Sequence, residues 1–175
     1  MGTWEWIVTK DGSPFLMEVN TRIQVENGVS ARISKVKGQG DVDIIAEQIS
    51  DDAELRKSLR ARMQKSGVGI EYRLIAEDPD NRFTPWVGRI DAFGWPSHPW
   101  LKMHTHVPTD ESYEIPTEFD PNLALAIIWG ENLEQAKERG MQFLDELTLQ
   151  GENQSGELKS NVNFLRANTG RILRF

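Results

Sequence analysis

Two short alternating runs around an Asp-Gly pair constrain the fold of this chain more than any other feature. Residues 4–9 and 14–20 read as strands, separated by Lys10-Asp11-Gly12-Ser13. Asp-Gly between such runs is a strong hairpin signal, because a type I′ turn needs positive φ at both central residues. A two-residue loop pairs Lys10 with Ser13, and counting outward sets Thr9 against Pro14 and Glu5 against Glu18. Like charges directly opposite each other on a ladder are destabilising. Two readings remain open. One places a divalent cation between the acids, since one or two carboxylates completed by phosphate and water are how magnesium is usually held; Asn20 on the same face would add a neutral oxygen. Alternatively, both acids simply face water.

The next residues sharpen the question. Glu18, Asn20, Arg22, Gln24 and Glu26 alternate with Val19, Thr21, Ile23 and Val25. In an extended strand the five polar groups share one face, with successive members about 6.6 Å apart. Such a face sets a metal ligand, an anion clamp and a general base within reach of one substrate. As a solvated face it would hold little more than an Arg22–Glu26 ion pair, worth little.

Alternation continues over 21–36 and then gives way to Lys37-Gly38-Gln39-Gly40, expected to be a loop. A helix is expected over 42–49 and another over 51–66, where Asp51 and Glu54 make a capping box and Leu55, Leu59 and Met63 repeat on one side. Residues 68–130 carry most of the eight prolines and read as short strands at 69–75, 88–90, 101–107 and 123–129. A helix over 132–147 buries Ala136, Phe143, Leu144 and Leu147; Gln150 to Lys159 reads as a polar surface loop, and Asn161 caps a last short helix with Val162 and Leu165. The net charge of −7 argues against non-specific nucleic-acid binding and, more weakly, against an anionic membrane surface. No apolar run reaches membrane-spanning length. Without cysteine there is no disulfide framework and no thiolate site, which fits a reducing cytoplasm. The chain opens at once in a strand, which suggests a piece of something longer.

Phe15-Leu16-Met17-Glu18-Val19-Asn20-Thr21-Arg22-Ile23-Gln24-Val25-Glu26 resembles the E-[MV]-N-T-R-[IL]-Q-V-E signature of biotin carboxylases and their acyl-CoA, pyruvate and urea carboxylase relatives. Gly2-Thr3-Trp4-Glu5-Trp6 resembles the preceding strand of that family. Glu71 to Pro79 is similar to E-C-R-I-N-A-E-D-P, and Phe83-Thr84-Pro85 with Gly88-Arg89-Ile90 to F-x-P-x-x-G-x-I. Ile115 to Asp120, Trp129-Gly130-Glu131-Asn132 and Asn161 to Leu165 resemble V-P-P-Y-Y-D, W-G-E-D and T-N-[IV]-x-F-L, all in the family's order.

The resemblance implies ATP- and bicarbonate-dependent carboxylation of N1 of biotin. Carried over by position, Glu5 and Glu18 would ligate Mg2+ or Mn2+ with Asn20 beside them, and Arg22 would stabilise negative charge on carboxyphosphate or the biotin enolate. Glu26 would take the proton from bicarbonate, and Gln24 and the Val25 backbone would position it. Lys102 stands where the family has a biotin-contacting arginine in G-V-R-x-[DE]-S-H, an exchange that loses the planar fork. Leu125 replaces the lysine of Y-Y-D-S-x-x-x-K, and E-H-P-V-T-E becomes Glu26-Asn27-Gly28-Val29-Ser30-Ala31.

The implied fold is α+β: residues 1–66 as the end of an ATP-grasp sheet with linking helices, then 67–175 as the biotin carboxylase C-terminal domain, a mostly antiparallel sheet packed with helices. Implied partners are the N-terminal biotin carboxylase portion, a biotin carboxyl carrier domain, a carboxyltransferase and a second copy through the C-terminal domain. Because the phosphate loop and adenine pocket do not precede Met1, the chain alone is expected to be inactive. A non-catalytic dimerisation or carrier-docking module is the alternative. His104 and His106, with His98 as a third, could hold zinc, though structural roles are favoured. The six tryptophans are expected mainly as core and interface residues, and Trp86 and Trp95, if exposed, would mark a subunit contact.

Overall fold

The computed structural model describes residues 2–36, 40–49, 63–118 and 120–172, and the chain is α+β. It divides into two compact units, Met1–Met63 and Gln64–Phe175.

The first unit opens with the expected hairpin of β1 (Thr3–Val8) and β2 (Pro14–Asn20). Its turn is not the expected one. Gly12 N–H donates to Thr9 O at 2.9 Å, Thr9 N–H donates to Ser13 O at 3.1 Å, and Gly12 has φ of +84°. This is a three-residue loop with glycine in the left-handed position, the next most common hairpin solution. The Asp11 carboxylate accepts from Thr9 Oγ1 and from Ser13, bonds that lower its pKa in that order of importance. Val8 therefore faces Pro14 and Trp6 faces Leu16, one residue out of the register counted from a two-residue loop. A bulge at Met17 then restores the count, so that Glu5 faces Glu18, Trp4 faces Val19 and Thr3 faces Asn20.

After Asn20 the chain leaves the sheet. Residues 21–26 bend and turn instead of continuing as a strand, and α1 (Asn27–Ile33) follows, then β3 (Ser34–Val36), paired with β4 (Gly40–Asp41). Period-two alternation over 21–36 is thus overruled. The Gln24 carbonyl closes a turn onto the Asn27 N–H at 3.2 Å, which an extended chain cannot do. In α2 (Ile44–Ile49) the Asp43 Oδ1 accepts from the N–H groups of Ile45 and Ala46, an N-cap. The core here is thin: Val36 and Val42, with Ile44 against them. Of the helix expected at 51–66, residues 51–62 lie outside the described residues, and Met63–Lys65 form a short strand, β5.

The second unit holds the main core. Strand β6 (Val68–Ile75) leads into β7 (Glu77–Asp78), which pairs with β8 (Thr84–Pro85); β9 (Arg89–Gly94), β10 (Leu101–Thr105), β11 (Tyr113–Glu114) and β12 (Asn122–Gly130) follow. One antiparallel sheet has the order β10-β12-β6. Its alternation sends Tyr72, Leu74, Ala124, Ala126 and Ile128 into one cluster, where Phe143 and Leu144 of α3 (Leu133–Glu146) meet them. Full burial of each such large side chain contributes about 1.5–3 kcal/mol. Asn132 caps α3, its side chain accepting from Gln135 N–H at 3.0 Å.

The polar segment expected as a loop is instead a hairpin, β13 (Thr148–Asn153) with β14 (Gly156–Glu157), in a second sheet of order β11-β9-β13-β14. Exposed edge residues need no apolar alternation to pair, so composition hid it. Helix α4 (Val162–Ile172) packs on α3, and buried Asn161 joins its start to β6 by donating to Arg73 O and accepting from Ile75 N–H. Trp86 is buried and Trp95 is half-buried against the same core, which removes both from an exposed contact. No described helix is long and apolar enough to cross a membrane.

Candidate functional site

The carboxylate pair lies in the first unit, at the open end of the hairpin. Because Glu5 faces Glu18 and Thr3 faces Asn20, the three polar side chains share one face. Asn20 Nδ2 donates to Glu5 Oε1 at 2.8 Å and to Glu18 Oε1 at 3.0 Å, so one amide bridges both acids. Gln24 Nε2, arriving from the curled segment, donates to the same Glu5 oxygen at 3.3 Å. The repulsion inferred from the sequence is therefore relieved by amide donors.

The donor set also fits a magnesium ion. Two carboxylates converge on one point, and rotation of the Asn20 amide would offer its oxygen there; all three donors are hard oxygens. Among the described residues no three His, Asp or Glu side chains gather at one point, so further ligands would have to come from water or a bound phosphate.

Around this face lies a cleft of about 500 Å³, lined in part by Glu5, Arg22, Gln24, Glu26 and Asn27. All five polar residues expected on one strand face are met here or at the acid pair, Glu18 and Asn20 from β2 and Arg22, Gln24 and Glu26 by a different route, the turn after Asn20. Arg22 is exposed, and its Nη1 donates to Ile23 O at 3.4 Å. Glu26 sits at the N-cap position of α1, and its side chain makes no capping hydrogen bond there. Val25 is exposed, and its carbonyl is reached by Asn27 Nδ2 at 3.5 Å.

Lys102 belongs to the second unit. It is exposed on β10, facing Ile127, which in turn faces Glu71 on β6. Leu125, in the next row, stands between His104 and Arg73. Burial holds the His104 imidazole below its ordinary pKa, the positive charge of Lys102 adds to this, and Glu71 opposes it. Glu71 was not singled out from sequence, yet its side chain is nearly buried, with one oxygen on Arg73 Nε at 3.2 Å and the other without a partner. The other histidines have local partners. His98 stacks on Trp100 and bonds Glu146 at 2.9 Å, and His106 meets the edge of Tyr113.

Asn27 also escaped sequence reasoning. Its side chain donates to Gln24 O at 2.8 Å, and the only signal was its place in the departure from E-H-P.

Comparison with known proteins adds three findings. The profile of the biotin carboxylase C-terminal domain family matches residues 71–169. A biotin carboxylase of Nostoc sp. is 34% identical over 151 residues, covering 86% of this chain and 32% of its own length. A chloroplastic biotin carboxylase of Populus trichocarpa is 36% identical over 154 residues, with 86% and 27% covered. The chain thus spans about a third of the length of these relatives. Among solved structures, the biotin carboxylase domain dimer of the Hydrogenobacter thermophilus 2-oxoglutarate carboxylase, in complex with MgADP, ADP and bicarbonate, superposes with a TM-score of 0.80 at 29% identity, covering 97% of this chain and 34% of that one. The complete pyruvate carboxylase of Rhizobium etli gives 0.81 at 27% identity, covering 97% and 16%.

Proposed function

The chain belongs to the biotin carboxylase family, and from that premise we propose that it supplies metal, bicarbonate and biotin contacts to ATP-dependent carboxylation of carrier-bound biotin. The observation that carries this reading is the Glu5–Glu18 pair gathered around Asn20, with Gln24 folded back onto Glu5. Magnesium or manganese held by Glu5, Glu18 and Asn20 would neutralise the phosphate oxygens of ATP.

The chain's own residues do the rest. Glu26 accepts the proton of bicarbonate, whose oxygen attacks the γ-phosphorus as the bond to ADP breaks. Gln24 and the Val25 backbone orient the bicarbonate. Carboxyphosphate then yields carbon dioxide and phosphate; the phosphate takes the proton of biotin N1 as the new C–N bond forms. Arg22 stabilises the negative charge that develops, work suited to a fixed guanidinium. Lys102 contacts the biotin oxygen as a point charge.

Other portions of a biotin carboxylase would complete the site. Trp4, Trp6, Ile7, Val8, Phe15 and Met17 are each at least half exposed on the hairpin, an apolar surface that the N-terminal portion of a biotin carboxylase would cover. A carrier domain brings biotin, a carboxyltransferase consumes its carboxyl group, and a second copy docks on the C-terminal domain; the similar Hydrogenobacter thermophilus domain is itself a dimer. A cytoplasmic setting suits a chain without cysteine.

The test is to complete the chain with the N-terminal portion of a relative and measure biotin-dependent ATP cleavage. Glu26→Gln and Arg22→Ala should each lower kcat by about a hundredfold or more, and the 175-residue chain alone should not cleave ATP. Full activity in both variants would sink the assignment. Lys102 and Leu125, where the family has arginine and lysine, favour a second reading as a non-catalytic docking module. Unaltered assembly without any cleavage by the completed protein would select it.

A further inference from the structure

We propose that Asn27 is the positioning residue of the turn that carries Glu26, an inference that rests on the reading of Glu26 as the base. Its side chain folds back along its own backbone. Nδ2 donates to Gln24 O at 2.8 Å and reaches Val25 O at 3.5 Å, while the Asn27 main-chain N–H donates to the same Gln24 O at 3.2 Å. One carbonyl thus receives two donors from one residue, and the turn over residues 24–27 is closed from both backbone and side chain.

Chemistry in the neighbouring residues makes this closure necessary. The family's pattern places a proline two residues after the base, and proline fixes φ without any side-chain bond. Gly28 removes that restraint and adds backbone freedom next to Glu26. Asparagine is suited to compensate, since a short amide readily bonds backbone groups two or three residues away.

The restraint extends to the acid pair. Gln24 is held at its carbonyl by Asn27 and at its side-chain amide by Glu5, whose oxygen also accepts from Asn20, which donates in turn to Glu18. A continuous hydrogen-bonded path therefore runs from the base's turn to the pair of carboxylates. Asn27 does not need to touch a substrate to act. By fixing Gln24 it fixes where Val25 and Glu26 stand relative to Glu5, and small displacements of a reacting group carry large rate penalties.

Hydrogen exchange in the 175-residue chain tests the clamp directly. Asn27→Ala is expected to speed exchange of the residue-27 amide about tenfold, with β6 and β12 unaffected; unchanged exchange at residue 27 overturns the proposal. Asn27→Asp, isosteric but without the Nδ2 donor, should behave like Asn27→Ala, so a fold-wide fault of either variant can be told apart. In the chain completed with an N-terminal portion, Asn27→Ala should lower kcat about tenfold and leave the KM for ATP unchanged. Gly28→Pro added to Asn27→Ala should recover most of that loss, because the ring supplies the missing restraint. Failure of Gly28→Pro to recover activity, or a change confined to KM, also overturns the proposal. If the completed protein cleaves no ATP at all, the assignment of Glu26 fails, and the exchange result alone decides the clamp.

Discussion

The two units differ most in what they do with their apolar residues. In the second, Leu74, Ile128, Phe143 and Leu144 are wholly buried around one sheet and one helix. In the first, Trp4 is 59%, Trp6 50% and Val8 64% exposed, and among the described residues only Val36 and Val42 are buried. A two-stranded hairpin has marginal stability on its own. Yet the first unit carries Glu5, Glu18, Arg22 and Glu26, the residues to which chemistry is assigned. The main buried core thus lies in a different unit from most of the proposed site residues.

The largest expected effect breaks the comparison at its strong end. Phe143→Ala leaves a cavity in the main core and should cost about 3–5 kcal/mol in urea unfolding of the isolated chain. Trp6→Ala, in the same assay, should change stability by less than about 0.5 kcal/mol. Equal costs would mean that the hairpin is as well supported as the core.

A close contact inside the second unit gives the next effect. A methyl group at Gly140 would overlap the Tyr72 phenol, which donates its hydroxyl to Thr169 Oγ1 at 3.3 Å. Gly140→Ala should therefore destabilise by about 1–3 kcal/mol. With Tyr72→Cys, the residue of the family's E-C-R, the added cost should shrink markedly in a double-mutant cycle of thermal melts. Additive costs would show that Tyr72 and Gly140 are not coupled.

The smallest effect concerns the charged row of β10. The folded state holds His104 below its ordinary pKa, chiefly through burial and then through Lys102. The unfolded chain then binds the proton first as pH falls. The stability that His104 permits is full above the ordinary histidine range, about 6.5, and declines as pH drops from there towards the folded pKa. Lys102→Met removes a repulsion, so the ring should titrate at higher pH and the acid-side decline should soften. Titration of the His104 ring by NMR that is the same in both proteins would show that Lys102 does not act on it.

Reading the chain without coordinates went far in some places and failed in others for definite reasons. The last two helices stood out because their apolar residues repeat within a few neighbours, whereas the side chain of Asn161, expected as a local cap, bonds Arg73 O and Ile75 N–H of β6 instead. Residues 69–75 and 123–129 stood out as strands because a buried sheet demands apolar side chains. The hairpin 148–157 went unseen because its strands carry Gln150, Glu152, Asn153 and Glu157, which suit an exposed edge. The Glu5–Glu18 pairing was reached from the wrong turn. A slip of one residue at Gly12 and a bulge of one residue at Met17 cancel, and neither leaves a mark on the alternation.

Membership of the family and the α+β character were legible in residue order alone, since each motif is read within a few neighbours, and the same order nominates the proposed site residues. Where those residues stand was settled only in three dimensions. Asn20 meets Glu5 across fifteen residues and Gln24 meets it across nineteen, after a turn that alternation misread as strand. Such contacts depend on where the chain is bent and closed, and a one-residue change in either moves every side chain beyond it to the opposite face.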